Sequence, residues 1–172
     1  MLLDKLTSSL PPPANPKETG SNAAWGEVTK RFGDVLPTDY MFFIQRYGTG
    51  EIGGWLTVLN PFAENANLNL FIYGFQLLAA LRQIKTEFPK DLPYPLFYEP
   101  SGLLPWGISI DGDIFCWRTD GLSGNWPVVV IGRHTSPEEF QMPFSQFLHG
   151  VLTKELKTLA CPEDLPRVFI SQ

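Results

Sequence analysis

Residues 103–119 read LLPWGISIDGDIFCWRT, two runs rich in Ile, Leu, Phe and Trp on either side of Asp111-Gly112. Aromatic and β-branched side chains suit a pleated, half-buried surface, and Asp-Gly tolerates the left-handed backbone that a tight hairpin turn demands. The segment therefore predicts a β-hairpin, and with it an antiparallel sheet. In the register of a two-residue type I′ turn, Ile110 faces Asp113, Ile108 faces Phe115 and Trp106 faces Trp117. Alternation then puts these six on one side, which is largely aromatic and apolar.

Helices to back such a face are visible as 3.6-residue periods. Ser21 or Asn22 caps a helix in which Trp25, Val28 and Phe32 share a stripe and Gly33 ends it. Residues 39–47 place Tyr40, Phe43, Ile44 and Tyr47 on one face, with Pro37 near the first turn and Gly48 at the end. After a Gly-rich turn, residues 55–59 (WLTVL) predict a strand. Asn67 or Asn69 caps a third helix in which Tyr73, Leu77, Leu81, Ile84 and Phe88 keep the period until Pro89. The three prolines of residues 91–102 leave room only for a short edge strand at 96–98. PVVVIG, residues 127–132, is an uninterrupted apolar run that predicts the centre of the sheet. Ser136-Pro137-Glu138-Glu139 fits a capping box, while residues 140–142 fit a short strand, and the sequence leaves the two open. Residues 143–156 predict a last amphipathic helix through Phe144, Phe147, Leu148, Val151, Leu152 and Leu156, and residues 167–170 an edge strand. Without regular βα alternation, this order predicts an α+β fold, a mostly antiparallel sheet backed by helices.

A chain of 172 residues has the length of one domain. The run LPPPANPKETG sets residues 1–20 apart as a Pro-rich N-terminal arm, with residues 21–172 as the single domain. A formal charge of −5 and a pI near 5.0 argue against a nucleic-acid surface, which needs clustered Lys and Arg, and favour a basic partner. Neither a signal peptide nor a run of 18 apolar residues is present, so the expectation is a cytoplasmic protein with no membrane contact. Cys116 and Cys161 lie in no CxxC spacing and are expected to be reduced and structural.

The phrases LPTDYMFFIQRYGTGEIGGW, LLPWGISIDGDIFCWRT, NWPVVV and FSQFLHGVL follow one another over residues 36–152. In this order they resemble the landmarks of the SUKH superfamily, the group that includes the yeast cell-wall-assembly regulator Smi/Knr. The resemblance implies an α+β fold, a protein widespread in bacteria, and commonly an immunity protein that binds and neutralises a toxin delivered by neighbouring cells. It implies binding and no catalysis. One departure is that the family often has Asn-Gly after the second helix, where this chain has Tyr47-Gly48-Thr49-Gly50.

Asp111-Gly112-Asp113 begins like a calcium loop, yet position 12 is Leu122 where a Glu ligand is required. The acids are expected to be solvated turn residues. His134 and His149 are 15 positions apart with no third ligand at motif spacing, and no GxSxG, GxxxxGK[ST] or HExxH occurs. No catalytic residue, cofactor site or metal site is predicted. Core packing is the expected fate of Trp25, Trp106, Trp117 and Trp126, with Trp55, beside the Gly-rich turn, the candidate for exposure. The predicted protein-binding face is therefore Glu51, Trp55, Asp111, Asp113 and Asp120, and the predicted partner a basic toxin domain. A regulatory scaffold of the Smi/Knr kind is the second reading, and an enzyme without a recognisable motif the third.

Overall fold

A computed structural model describes residues 2–33 and 36–172. Met1, where the arm begins, lies outside the described residues, as do Asp34 and Val35. Five α-helices are formed among the described residues: α1 (Leu2–Ser9), α2 (Asn22–Phe32), α3 (Thr38–Tyr47), α4 (Tyr73–Glu87) and α5 (Phe144–Thr153). Seven strands accompany them: β1 (Gly50–Ile52), β2 (Leu56–Val58), β3 (Leu103–Ser109), β4 (Ile114–Arg118), β5 (Val128–Ile131), β6 (Glu138–Phe140) and β7 (Phe169–Ser171). They make one sheet in the order β6-β5-β4-β3-β2-β1-β7, antiparallel at every pairing. The α+β expectation holds.

The central hairpin forms with a longer turn than expected. Ser109 N–H donates to Asp113 O at 2.9 Å, Gly112 N–H donates to Ser109 O at 3.1 Å, and Gly112 has φ 90°. This is a three-residue loop closed by a left-handed glycine. Ile108 therefore pairs with Ile114, Gly107 with Phe115 and Leu104 with Trp117, with a bulge between Pro105 and Gly107. The predicted pairs Ile110 with Asp113, Ile108 with Phe115 and Trp106 with Trp117 do not form. A one-residue slip would send Trp106 to the opposite face, and the bulge turns it back. Its ring lies 5.5 Å from Phe115 and 6.0 Å from Trp117.

That aromatic face is covered by α3 and α5. Phe144 packs edge-on against Trp106 at 4.8 Å and against Tyr40 at 5.6 Å, and Tyr40 packs on Trp117 at 4.9 Å. Tyr40 OH donates to the Leu59 carbonyl, which ties α3 to the segment after β2. On the opposite face α4 crosses β3, where Gly74 comes close to the Pro105 carbonyl and Leu59.

The smaller elements correct several expectations. PVVVIG is buried as expected but lies second from one edge, because residues 138–140 form β6 beside it; the middle strand is β3. The capping box of residues 136–139 gives way to that strand. Ser21 caps α2, its hydroxyl accepting from Ala24 N–H at 3.2 Å, and Gly33 closes it at φ 74°. α4 starts at Tyr73, later than expected, because the Asn69 side chain holds the turn ahead of it through Phe71 N–H and Ile72 N–H. Residues 96–98 contribute only the bridge of Leu96 to Leu103. β7 takes the edge position expected of the tail.

The arm is not separate from the domain. α1 packs on α5, Leu6 and Leu10 are buried in the core, and Tyr47 OH donates to the Leu10 carbonyl. Farther along, Thr49 N–H donates to Lys17 O at 3.2 Å and Asn60 Nδ2 to Glu18 O at 2.9 Å. The Glu18 carboxylate in turn accepts from Thr49 Oγ1 and from Glu64 N–H. Gly48 makes this approach possible: it has φ 72°, and a Cβ there would sit 2.1 Å from Lys17 O. The prolines forbid helix across residues 11–16, yet two buried leucines and four hydrogen-bonded groups anchor the segment around them.

Two stability measurements follow from this packing. Leu10→Ala is expected to cost about 2–5 kcal/mol in denaturant unfolding; a loss near zero would show the arm to be dispensable. Trp117→Ala is expected to cost about 3–5 kcal/mol. Its indole N–H has no acceptor among the described residues, so the ring acts through volume, and Trp117→Phe is expected to cost less.

Candidate functional site

The five residues of the predicted binding face divide into separate structural roles. Asp111 stands exposed at the tip of the β3–β4 turn, and its Oδ2 accepts from Trp55 Nε1 at 2.7 Å. Trp55 is 6 % exposed, its ring edge-on to Phe115 at 5.9 Å, so the expectation of an exposed indole is wrong. Gly53 and Gly54, at φ 63° and 65°, fold the β1–β2 turn back so that the indole lies over the sheet. Ile110 N–H donating to Trp55 O at 2.9 Å joins the two turns.

Asp113 is not solvated. It is 6 % exposed and accepts from Ser109 Oγ at 2.6 Å and from Arg133 N–H at 3.0 Å, while its own N–H donates to Ser109 Oγ at 3.0 Å. The carboxylate thus ties the hairpin turn to the segment after β5, a structural duty that removes it from any contact face. Asp120 lies beyond the other end of β4, where Arg118 reaches it at 3.1 Å and Glu139 at 2.9 Å. Five residues of strand separate the two ends, roughly 17 Å at the rise of an antiparallel strand. Asp120 is thereby set apart from the turn acids along the strand.

Glu51 is half-buried and belongs to a different neighbourhood. The registers of six strands align Ile170, Glu51, Thr57, Ile108, Ile114 and Ile131 into one row across the sheet, on the face opposite Phe115 and Trp117. The C-terminal end of α4 stands over one end of this row: Ile84 and Phe88 line a groove of about 710 Å³ with Ile114 and Ile131. At the other end, Ile170 is 43 % exposed and Ile110, beside the row, 72 % exposed. Among the described residues no cation pairs with Glu51. Sequence reading missed Thr57, Ile108, Ile110 and Ile170 as neighbours of Glu51. Their alternation marks a strand face, but only the register of non-adjacent segments brings them into one row.

Other chemistry-bearing groups stay apart. His134 lines the α4 groove with Arg133 and Lys90, whereas His149, on α5, lies 3.0 Å through Nδ1 from Ser9 Oγ. Both cysteines are free; burial pushes the Cys161 thiol up to about 11 and the Cys116 thiol up as well, which lowers the thiolate fraction at neutral pH. Among the described residues there is no cluster of three or more His, Cys, Asp or Glu able to hold a metal ion, and no helix long and apolar enough to cross a membrane.

Comparison with known proteins gives one match. The family model SUKH_6, described as SMI1-KNR4 cell-wall, matches residues 23–148, a stretch that begins in α2 and ends within α5. No curated protein and no solved structure matches.

The two turn acids should separate in a stability assay. Asp113→Ala is expected to cost about 1.5–3 kcal/mol, the loss of hydrogen bonds to a buried charged group, whereas Asp120→Ala should stay within about 1 kcal/mol, as an exposed ion pair does. Equal effects in urea unfolding would contradict this assignment.

Proposed function

From the premise that the chain belongs to the SUKH superfamily, we propose that it is a protein-binding module that neutralises a bacterial toxin domain by direct contact in the cytoplasm. The family match across residues 23–148 carries this reading. The formal charge of −5 supports a basic partner, because opposite net charges steer two proteins together and raise the association rate. In this reading the module acts by occluding its target, without catalysis of its own, and engages neither nucleic acid nor membrane. Of the acids in the predicted face, Glu51 and Asp111 pair with no cation among the described residues, while Asp113 is committed to the fold. A second reading, a regulatory scaffold for endogenous proteins, draws on the cell-wall description of the same family.

Co-expression with a toxin encoded beside this gene separates the two. Rescue of growth, with a complex of the purified proteins whose association slows as salt is raised, is the expected result. Unrescued growth together with no measurable complex removes the immunity reading, and recovery of housekeeping proteins alone would favour the scaffold.

A further inference from the structure

We propose that the corner of the sheet formed by Glu51, Thr57, Ile108, Ile110 and Ile170 is the docking surface, and that it receives a Lys or Arg of a basic protein partner flanked by apolar side chains. This rests on the protein-binding reading above and specifies its surface.

Coverage of the sheet points to this corner. α3 and α5 bury one face, and on the other α4 runs from the Pro105 region of β3 toward Ile114 and Ile131. On the part of the second face made by β7, β1, β2 and the hairpin end of β3, Glu51, Thr57 and Ile108 are half-buried and Ile110 and Ile170 exposed. At its margin are Gly53, against which Leu165 and Pro166 pack, and Gly54, where a Cβ would lie 3.6 Å from Ile170 Cδ1. The corner is also rigid, since every strand in it is paired on at least one side and Trp55 Nε1 locks the two turns together through Asp111. A surface already held in shape loses little entropy when a partner settles on it.

Charge identifies the occupant. Glu51 sits between Ile170 and Thr57 in a largely apolar row, half-buried and unpaired with any cation among the described residues. The ion pairs that form lie elsewhere: Lys30 with Glu27, Arg118 with Asp120 and Glu139, Lys154 with Asp164; what sets Glu51 apart is its half-buried place in that apolar row. A partly desolvated carboxylate on an apolar surface is stabilised by an incoming cation, and an apolar partner surface without one would leave the charge buried and alone. The exposed Asp111 at the rim adds a second negative charge. A second copy of this chain is disfavoured as occupant, because a symmetric contact would bring two copies of the same acid-bearing corner together, with no Lys or Arg in either to meet Glu51.

The test uses the full chain and the purified, catalytically inactivated toxin domain encoded beside its gene. Glu51→Lys and Ile170→Asp are each expected to weaken the complex on the order of 100-fold, and Glu51→Gln about 10-fold. Asp120→Lys, at the far end of β4, should stay within about 2-fold. Thermal melting of each variant guards against misfolding, and Ile110→Asp, in the exposed turn, reports on the same surface should Ile170→Asp fail to fold. Wild-type affinity in the folded Glu51 and isoleucine variants overturns the surface while leaving toxin binding intact. No complex with the unaltered chain overturns both. Concentration-dependent dimerisation abolished by Ile170→Asp would overturn the proposal in favour of a second copy.

Discussion

Trp106, Phe115 and Trp117 must lie on one side of the sheet, and the rest of the fold is arranged around meeting that demand. Trp106 and Trp117 are wholly buried beneath Phe144 and Tyr40, so α3 and α5 have no other place to bury their apolar stripes. The three-residue turn on its own shifts the hairpin by one residue, and the bulge after Pro105 compensates within the same strand. Two local irregularities of opposite effect thus keep a single aromatic face. The hydrogen bonds of Asp113 fix the first of them, and a carboxylate is tolerated at so buried a position because one oxygen accepts from Ser109 Oγ in the turn and the other from Arg133 N–H after β5.

The helices were legible in the sequence because their caps and periods are local. Ser21, Gly33 and Gly48 stand where capping chemistry puts them, and the stripes of α2, α3 and α5 are the ones buried. What could not be read was set by contacts distant along the chain. Asp-Gly is compatible with a two-residue and a three-residue loop, and the choice rests on the Ser109 and Asp113 side chains. PVVVIG suggests the centre of the sheet because it reads as buried on both faces, yet Val128, Val129 and Val130 are all buried one strand in from the edge, between β4 and β6. Trp55 and Asp111 are 56 positions apart, and nothing in either neighbourhood announces their hydrogen bond. The candidate site suffered most, for an acid in a turn reads the same whether it faces water or a serine hydroxyl.

Segments outside the family match converge on one place. α1 and the arm precede residue 23, and β7 follows residue 148, yet Lys17 and Glu18 bind Thr49 from one side and Gln172 N–H donates to Thr49 O from another. Asn60 completes the cluster by donating to Thr49 Oγ1 at 2.7 Å. This is the turn at which the chain has Gly48-Thr49-Gly50, where the resemblance of the sequence leads one to expect Asn-Gly. The departure therefore has a structural account: glycines at 48 and 50 admit the arm backbone and the Ile170 carbonyl at distances no Cβ allows, and the threonine hydroxyl both donates and accepts between them.

The same sorting of polar groups decides how the negative charge can act. Asp113 and Glu18 accept hydrogen bonds that hold segments together, and Asp120 and Glu139 share Arg118; these acids are already stabilised by their own chain and gain little from a partner. A net charge of −5 acts at long range, where it steers an encounter and is screened by salt. Specificity at contact has to come from acids whose surroundings leave them wanting a cation. Glu51 meets that condition through its place in the row, and its strand cannot move away because β2 and β7 hold it on both sides. Steering is thus a property of the whole chain, whereas in the proposed contact recognition falls to Glu51, an acid held half-buried in an apolar row with no cation beside it among the described residues.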